Sequence, residues 1–495
     1  MLQMKYRRYV RVVRKKNLNK LHFLLLENLN KLYFLGKINL KEWYKMEKFK
    51  RKAFDSLKEW KDNYAPNYAA LLEGARRVGK STIAEEFAKK NYRSYLKIDF
   101  ANINGDLLSA FDDIAKLDIF FLRLQTITGI NLYPRESVII FDEIQLYPKA
   151  RQAIKYLVAD GRYDYIETGS LISIRKNVKD ILIPSEEHRI KMYPMDFEEY
   201  LWAIGDDITY QAIKIAFEKR KALGDSIHRK IMKVFRTYMV VGGMPQAVNA
   251  YVEGKTFEQI DYIKEGILKL YEEDLAKYDK ENREKASVIY KTIPEQLENK
   301  NSHFKFSIVD KNARYQNYVD AVSFIAESMI GNECINVTCP EIAMELYADR
   351  SNFKLYMGDT GLLVTQIMKN QEETDENLMK ALIIDDLGIN QGMILENMVA
   401  QMLRASGHEL YFHEYLYQPE RNEKEKKYEI DFMTVRKKKI CPIEVKSSGY
   451  KSHKSFDYLK SKYQMKMEDR YIIYTKDLKY EDGITYIPIY MTSFI

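Results

Sequence analysis

The sequence predicts an α/β fold built around a parallel sheet, followed by a helical region and a second α/β region. Helix and strand patterns alternate from Met46 to about Ala203, and a glycine-rich loop pattern lies within them at Gly74–Ser81. After about Gly388, one amphipathic helix is followed by strands with turn signals between them. At 495 residues, the chain is long enough for two to four domains, each with its own core.

Composition and cysteine usage indicate a globular protein in a reducing, cytoplasmic setting. Hydrophobic residues make up 46% of the chain and charged residues 30%. The three cysteines form no C-x-x-C pair and no His-rich cluster, which argues against a zinc site and a disulfide framework. The apolar run Leu21 to Leu26 is too short for a membrane span or a signal peptide. We therefore expect no membrane span.

The positive net charge is concentrated in residues 1–45, which contain 12 Lys/Arg against 2 Asp/Glu. The rest of the chain is nearly neutral. A basic arm of this kind is able to bind nucleic acid or an acidic membrane. Two other interpretations stay open: a poorly ordered tail, and a native start at Met46, where a compact helix-then-strand pattern begins.

Five strands are predicted in the first α/β region, with helices between most of them. They are Ala69–Glu73, Ser94–Phe100, Ser137–Asp142, Tyr163–Thr168 and Arg189–Tyr193. Such alternation is typical of a parallel sheet with helices on both faces. Residues from about 205 to 280 follow as helices, interrupted at Gly242–Pro245. A strand pair near 333–338 and 353–357 then predicts a unit of winged-helix size at 281–368.

The segment Gly74–Ser81 matches G-x-x-x-x-G-K-[ST], the phosphate-loop or Walker A pattern. Its glycines let backbone N–H groups close around a polyphosphate, while Lys80 supplies charge to the phosphates and Ser81 a hydroxyl to Mg²⁺. A helix follows directly, so the phosphate would lie at a helix N-terminus. The predicted nucleotide contacts are Gly74, Ala75, Arg76, Arg77, Val78, Gly79, Lys80, Ser81 and Thr82.

Two carboxylates, Asp142 and Glu143, end the apolar strand that follows the loop by about 60 residues. A carboxylate at that strand end lies beside the phosphate loop, so Asp142 is predicted to hold Mg²⁺ with Ser81. Glu143 is predicted to orient and polarise the attacking water. Glu143 and Lys80 are therefore the predicted catalytic residues of a nucleotide-hydrolysing site on a P-loop NTPase sheet.

Three further residues are candidates for phosphate contact, each with an ordinary structural alternative. Thr168 and Ser170 end the next strand and either sense the γ-phosphate or cap the following turn. Arg189 either reaches a phosphate, within the chain or from a neighbouring molecule, or is a surface residue.

The C-terminal region contains two carboxylates and a lysine that a hairpin would bring together. If residues 436–439 form a four-residue loop, 435 pairs with 440, and the same register places Asp431 opposite Glu444. Lys446 lies two residues beyond Glu444, on the same face. Opposed carboxylates repel each other unless a cation lies between them, so the pattern predicts a second Mg²⁺ or Mn²⁺ here. The alternative is a solvated hairpin in which Lys446 forms an ion pair.

These motifs resemble the AAA-type ATPases of bacteria and archaea related to the signal-transducing NTPases. The resembling branch carries a C-terminal restriction-endonuclease-like domain of uncertain function. The matching segments are Leu72–Ser81, Phe141–Gln145, Glu167–Ser170, Tyr193–Tyr200, Gly242–Pro245 and Gly358–Gly361, together with the D…E-x-K pattern of Asp431, Glu444 and Lys446.

The resemblance implies that ATP is the nucleotide and that Pro245, in the helical lid, packs near the adenine. It also implies that Glu396, on the helix Met393–Arg404, joins Asp431 and Glu444 as a metal ligand. Lys446 would then position or activate water, which makes it a third catalytic candidate.

The predicted architecture is a P-loop NTPase sheet with a helical lid, a winged-helix-like middle domain and a C-terminal restriction-endonuclease-like α/β domain. Its boundaries are 1–45 (basic arm), 46–204 (AAA-type ATPase), 205–280 (lid), 281–368 (winged helix), 369–387 (acidic connector) and 388–495 (nuclease-like domain).

Two functional hypotheses follow. The first is an ATP-dependent switch that acts on DNA through the nuclease-like domain. The second is a nucleotide-regulated interaction protein with a degenerate fold that does not cut. The target and the oligomeric state, including any partner protein, are left open by the sequence.

Overall fold

The computed structural model describes residues 49–170, 184–279, 284–299, 303–311, 314–368, 391–418, 424–447, 453–464, 467 and 469–495. Arg51–Ile495 form one compact unit. Of the other unit, Met1–Lys50, only residues 49 and 50 are described. The predicted basic arm at 1–45, the alternative start at Met46 and the predicted connector at 369–387 lie outside the described residues.

The first sheet consists of five parallel strands. They are β1 (Ala69–Gly74), β2 (Ser94–Asp99), β3 (Ser137–Asp142), β4 (Asp164–Ser170) and β5 (Glu187–Met192). The order β2-β3-β4-β1-β5 makes β1 and β3 interior strands, which is why both are buried along their whole length. All five predicted strands are confirmed, and no predicted end differs from the observed one by more than 2 residues.

In the described part of the chain, six α-helices accompany this sheet, the first before β1, the last after β5 and the others between strands. They are α1 (Lys52–Asn63), α2 (Lys80–Asn91), α3 (Gly105–Ala110), α4 (Leu117–Thr128), α5 (Pro148–Asp160) and α6 (Phe197–Ala203). Aromatic rings dominate one core of this region, where Phe100, Phe111 and Phe141 pack with centroids 5.6 to 6.2 Å apart. This packing fixes the carboxyl end of β3, where the predicted catalytic carboxylates begin.

The next region is helical, as predicted. Its helices are α7 (Thr209–Glu218), α8 (Asp225–Val241), α9 (Pro245–Val252) and α10 (Phe257–Asp279). The predicted interruption is confirmed, because α8 ends before Gly242 and α9 begins at Pro245. Proline suits the first turn of a helix, where its missing N–H has no partner to lose.

The second sheet has eight strands in the order β12-β13-β11-β10-β9-β8-β6-β7. They are β6 (Gly331–Val337), β7 (Ala348–Met357), β8 (Leu410–Tyr417), β9 (Lys426–Arg436), β10 (Lys439–Val445), β11 (Tyr471–Tyr474), β12 (Lys479–Glu481) and β13 (Ile484–Pro488). The predicted strand pair in the middle of the chain is present as β6 and β7. Because β6 pairs in parallel with β8, this hairpin belongs to the same sheet as the C-terminal strands.

The remaining helices accompany the second sheet. They are α11 (Lys285–Glu298), α12 (Phe306–Val309), α13 (Val319–Glu327), α14 (Thr360–Met368), α15 (Gln391–Ala405) and α16 (Lys454–Tyr463). The winged-helix assignment of 281–368 stays a prediction. No helix in the described ranges is both long enough and apolar enough to cross a membrane.

The C-terminal hairpin has the predicted register but a shorter loop. Val435 pairs with Ile440, and the pairing continues in the same register to Phe432 and Ile443. The expected four-residue loop at 436–439 is wrong, because Arg436 and Lys439 are themselves paired. Lys437 and Lys438 alone make the turn, both with positive φ (49° and 61°), as tight two-residue hairpins require.

Candidate functional site

The phosphate loop connects β1 to α2 at the carboxyl edge of the first sheet. Gly79, the residue before α2, has φ 98°, a conformation that only glycine adopts without strain. A side chain at Gly74 is excluded for a different reason, since a Cβ atom there would lie 2.3 Å from the carbonyl oxygen of Met192. The two fixed glycines of the motif therefore follow from backbone geometry and from close packing, respectively.

Lys80 is buried, and its ammonium donates to the carbonyl oxygens of Gly74 (3.0 Å) and Ala75 (2.9 Å). Burial lowers the pKa of Lys80 to about 8, against the opposing charges of Glu143 and Asp142. A cation held among backbone carbonyls inside a loop of this geometry is poised to meet an anion. The structure thus places Lys80 as the motif predicts.

Asp142 is the centre of a hydrogen-bond network at the end of β3. Its Oδ1 accepts from Ser81 Oγ at 2.6 Å and from the hydroxyl of Thr168, and its Oδ2 contacts Lys97 Nζ at 2.8 Å. Burial alone would raise the pKa of Asp142, but the bonds from Lys97, Ser81 and Thr168 outweigh it and hold the pKa below its usual value. The carboxylate is therefore ionised at neutral pH.

These donors fit a magnesium ion. Ser81 and Asp142 present a hydroxyl and a carboxylate oxygen side by side, and hard oxygen ligands are what Mg²⁺ prefers. Both were predicted as ligands.

Glu143 follows Asp142 in a left-handed conformation, with φ 54° and ψ 44°. Such backbone strain is uncommon outside glycine and concentrates at functional positions. Its N–H donates to Thr168 Oγ1 at 3.2 Å, and its carboxylate accepts from Gln145 Nε2 at 2.5 Å. The Thr168 hydroxyl therefore contacts the carboxylate of Asp142 and the backbone of Glu143, whereas Gln145 contacts the Glu143 carboxylate. The role of Thr168 as a phosphate sensor stays a prediction, as does that of Ser170, whose backbone pairs with Gly74.

Arg189 lies on β5, beside β1. It pairs with Leu71 in the register of β1 and β5, three residues before Gly74. Its guanidinium contacts Glu73 at 3.3 Å and Glu187 at 3.7 Å, and half of the side chain is exposed. The predicted contact of Arg189 with a phosphate stays a prediction.

The helical lid contacts the phosphate loop at two places. Arg76 Nη1 lies 3.1 Å from Asp274 Oδ1, and its carbonyl oxygen accepts from Tyr271 OH at 2.9 Å. Both partners belong to α10. Pro245 approaches from α9, and its Cγ would lie 3.8 Å from a Cβ atom built on Gly79. Pro245 thus lies beside the loop, while its predicted contact with adenine stays a prediction.

A buried polar junction joins the lid to the second sheet. Asp359 accepts from the N–H of Gly243 (2.7 Å) and of Leu362 (3.0 Å). A Cβ atom on Gly361 would lie 2.4 Å from the Cα of Gly242, so neither segment tolerates a side chain there. We call Gly242, Gly243, Asp359 and Gly361 the Asp359 junction. One contact therefore explains Gly242 of the Gly-Gly-Met-Pro motif and Gly361 of the Gly-Asp-Thr-Gly motif, whereas Gly243 packs against the backbone of Met195 and Gly358 against that of Met329.

The structure brings Asp431, Glu444 and Lys446 together at the C-terminal hairpin, but it does not arrange them as ligands of a metal ion. Lys446 Nζ lies 2.6 Å from Glu444 Oε2, and the Ser455 hydroxyl donates to Glu444 Oε1. Asp431 Oδ2 accepts from the N–H of Val445 at 2.7 Å. Protein donors thus satisfy the two carboxylates that the sequence assigned to a metal.

The third predicted ligand, Glu396 on α15, contacts a lysine that the sequence did not single out. Lys354 Nζ, from β7, lies 3.1 Å from Glu396 Oε1 and 2.5 Å from Glu429 Oε1. Among the described residues, no group of three or more His, Cys, Asp or Glu side chains is placed to hold a metal ion. The predicted second Mg²⁺ or Mn²⁺ therefore has no site in this part of the chain.

Sequence reasoning missed Lys97, Lys354 and Glu429. Glu429 had a signal, because it lies two residues before Asp431 and strand alternation puts both on one face. The sequence contains no signal for the two lysines, since each lies on a different element from the carboxylates it contacts. Only the tertiary fold brings them together.

Three family models match the chain in succession. Residues 66–201 match an AAA domain, residues 232–373 a domain of unknown function (DUF8612) and residues 391–492 another domain of unknown function (DUF4143). The first match covers the sheet, the phosphate loop and both carboxylates. It supports an AAA-type P-loop ATPase domain that binds nucleotide.

Individual relatives are distant. The chain is 30% identical over 156 residues to the uncharacterized protein MJ1637 of Methanocaldococcus jannaschii, and the match spans 30% of this chain and 31% of that protein. The Walker-type ATPase PABY2304 of Pyrococcus abyssi overlaps at 14% identity with a TM-score of 0.39, covering 65% of this chain and 96% of that one. A DNA replication initiation factor overlaps at 12% identity with a TM-score of 0.20, covering 68% and 92%.

Proposed function

We propose that this protein is a Mg²⁺-dependent ATPase that uses its nucleotide state to control the contact between its lid and its second sheet. The observation that carries the proposal is the network of Ser81, Asp142, Thr168 and Glu143 beside the loop. It holds two carboxylates in fixed positions where a bound triphosphate would end.

Each group has a distinct task in this proposal. The loop N–H groups and the N-terminus of α2 receive the phosphates, and Lys80 turns from its carbonyl partners toward them. Ser81 and Asp142 would hold Mg²⁺, which neutralises charge on the β- and γ-phosphates when it is bound. Glu143 orients the attacking water and accepts hydrogen bonds from it, with Gln145 and Thr168 fixing its position.

The switch part of the proposal rests on α10, which contacts the loop and the Asp359 junction. Near its C-terminus, Tyr271 and Asp274 contact Arg76 of the loop. About three turns earlier in the helix, Lys264 Nζ donates to the carbonyl oxygens of Val240 (2.9 Å) and Gly361 (3.3 Å). A rigid helix that contacts both places transmits any displacement of Arg76 to the junction.

Beyond the junction, α15 belongs to the segment that matches DUF4143. Asn397 and Gln401 on α15 accept from the N–H groups of Met357 (2.7 Å) and Thr360 (2.7 Å), on either side of Asp359. This continuity supports a switch whose output reaches the C-terminal part. The identity of its target, DNA or protein, belongs to the proposal and not to the geometry.

The contacts of Lys354 favour the second of the two hypotheses for the C-terminal part. A nuclease of the D…E-x-K type needs a divalent metal, whereas here two lysines and a serine satisfy the carboxylates. We therefore propose that the C-terminal part serves interaction and does not cut nucleic acid.

The test is ATP binding and turnover by two variants. We expect Lys80→Ala to lose nucleotide binding and Glu143→Gln to bind ATP but turn it over about 10²- to 10³-fold more slowly. Lys89→Ala, on the exposed side of α2, and Glu136→Gln, before β3, are matched controls that keep normal turnover. Normal hydrolysis by Glu143→Gln would remove Glu143 from its assigned role, and normal ATP binding by Lys80→Ala would contradict the proposal as a whole.

A further inference from the structure

Lys354 occupies an unusual position for a lysine. It belongs to β7, its side chain is 8% exposed, and its ammonium points at Glu396 of α15 and Glu429 of β9. Lysine is seldom buried without a carboxylate partner, because the desolvated charge needs compensation. Here the two carboxylates supply it, and their charges raise the pKa of Lys354 against the effect of burial. The lysine is therefore charged at neutral pH.

The same ammonium lies in the wall of a small cavity. The cavity has a volume of about 250 Å³, and its lining includes Lys354, Glu396, Glu429 and Asp431. We call these four residues the Lys354 cluster. Three carboxylates in one small space repel each other strongly, and burial together with that repulsion raises the pKa of Asp431. The ammonium of Lys354 in their midst offsets that repulsion.

In proteins with carboxylates gathered at a sheet edge, that cation is often a divalent metal with oxygen ligands. This chain departs from that arrangement. Glu444 is bound by Lys446 and Ser455, Asp431 accepts from the N–H of Val445, and the remaining two carboxylates contact Lys354. The donor set therefore does not fit a divalent metal as it stands.

We infer that Lys354 takes the place of a metal ion in this cluster, so that the cluster binds no divalent cation while Lys354 is present. The lysine is contributed by a strand outside the segment that matches DUF4143. The middle region of the chain thus supplies the positive charge that offsets the repulsion between the C-terminal carboxylates. Removing that charge should turn the cluster into a divalent-cation site.

The inference is tested by Mn²⁺ uptake, followed through the electron paramagnetic resonance signal of free Mn²⁺. The full chain is used without nucleotide and carries Asp142→Asn, so that the phosphate-loop site contributes nothing. We expect this background to show no tight uptake. The double variant Asp142→Asn/Lys354→Met should take up one Mn²⁺ per chain with at least tenfold higher affinity than the Asp142→Asn protein. A triple variant that also carries Glu396→Gln should lose this gain in affinity.

Two controls separate charge from general perturbation. Lys354→Arg keeps the positive charge and should gain no affinity for Mn²⁺. Lys427→Met removes a lysine from the same sheet that contacts Glu414 at 2.7 Å but is half-exposed, and it should also gain nothing. Circular dichroism checks that each variant is folded.

Two results would overturn the inference. One is tight Mn²⁺ uptake by the background protein that Asp431→Asn removes, since a metal would then coexist with Lys354. The other is a folded Lys354→Met variant with no more uptake than the background. If Lys354→Met does not fold, the first measurement still decides, because it needs only Lys354 in place. Neither result depends on ATP hydrolysis, so failure here is distinct from failure of the proposed ATPase.

Discussion

The phosphate-loop site and the Lys354 cluster both pair a lysine on one strand with carboxylates on other elements, but burial is reversed between them. At the loop, Asp142 is the buried partner (5% of its side chain exposed) and Lys97 is 28% exposed. In the cluster, Lys354 is 8% exposed, while Glu396 and Glu429 are 27% and 23% exposed.

This difference in burial decides whether a metal ion is able to replace the lysine beside the carboxylates. A partly exposed lysine is able to leave a buried carboxylate when another cation arrives, because water compensates it. A buried lysine is not able to leave in this way, since its charge would then be buried without a partner. The first arrangement is thus open to Mg²⁺, and the second is closed to it. The predictions below break or sharpen this comparison, beginning with the largest effect.

Removing the lysine should cost far more in the cluster than at the loop. Lys354→Met leaves Glu396 and Glu429 without their counter-charge, and breaking a buried ion pair in this way typically costs about 3–5 kcal/mol. Lys97→Met removes a partly exposed partner while Asp142 keeps Ser81 and Thr168, so we expect a loss below about 1 kcal/mol. Urea unfolding of both variants, followed by circular dichroism, measures the difference. Equal losses would show that burial does not distinguish the two sites.

The next effect concerns the Asp359 junction, which lies between the two regions. Asp359→Asn keeps the shape but replaces one acceptor oxygen by an amide, so the N–H of Gly243 or of Leu362 loses its partner. A buried donor left unsatisfied costs about 1–3 kcal/mol. The matched control is Asp349→Asn on β7, the strand that precedes Asp359, where the carboxylate accepts from the exposed N–H of Ser351.

The same variant tests whether the two regions communicate. In the wild-type protein, we expect ATP to change hydrogen-exchange protection in the C-terminal strands as well as at the loop. In Asp359→Asn, protection at the loop should change while the C-terminal response shrinks. A full response in Asp359→Asn would mean that the junction is a structural contact only.

The third prediction concerns the pH dependence of ATP binding at the phosphate loop. Lys80 has a pKa of about 8 in the free protein because it is buried, and bound phosphate charge raises it. Below pH 8 the ammonium is charged in both states and affinity is highest. Above pH 8 binding must take up a proton, so ATP affinity should fall by about tenfold per pH unit.

Calorimetry in two buffers of different ionisation enthalpy measures this proton uptake directly. Lys80→Arg is the control, because arginine stays charged throughout this range and should bind without uptake. Absence of uptake by the wild-type protein at pH 9 would contradict a lowered pKa for Lys80 in the free protein.

The loop site was predictable and the cluster was not, for a physical reason. The residues from Gly74 to Ser81 are contiguous, and Asp142-Glu143 ends a strand whose apolar run identifies it. The pairing of Val435 with Ile440 was also predictable, since a short loop fixes an antiparallel register, although the loop proved to be two residues long. Lys354 comes from β7, which reaches the C-terminal sheet only through the parallel pairing of β6 with β8. Pairing between strands so far apart in sequence leaves no periodic signal.

The smallest expected effect returns to Lys97. If its ammonium competes with Mg²⁺ for Asp142, then Lys97→Met should bind Mg²⁺ more tightly in the presence of nucleotide. The gain is limited by the strength of a partly exposed ion pair, about 0.2–1 kcal/mol, which corresponds to no more than about fivefold. Titration of Mg²⁺ at saturating ATP, with binding followed separately from turnover, measures it.

The control for that titration is Lys89→Met, which removes an exposed lysine that pairs with Glu85 on α2 and not with Asp142. A gain in Lys97→Met alone would place the lysine in direct competition with the metal. A loss would give Lys97 the opposite role, since an ammonium that helps to hold Asp142 for the metal must lie beside the bound ion. In that case the exposed lysine would be as fixed as Lys354, and partial exposure would no longer explain why one carboxylate site accepts a metal and the other does not.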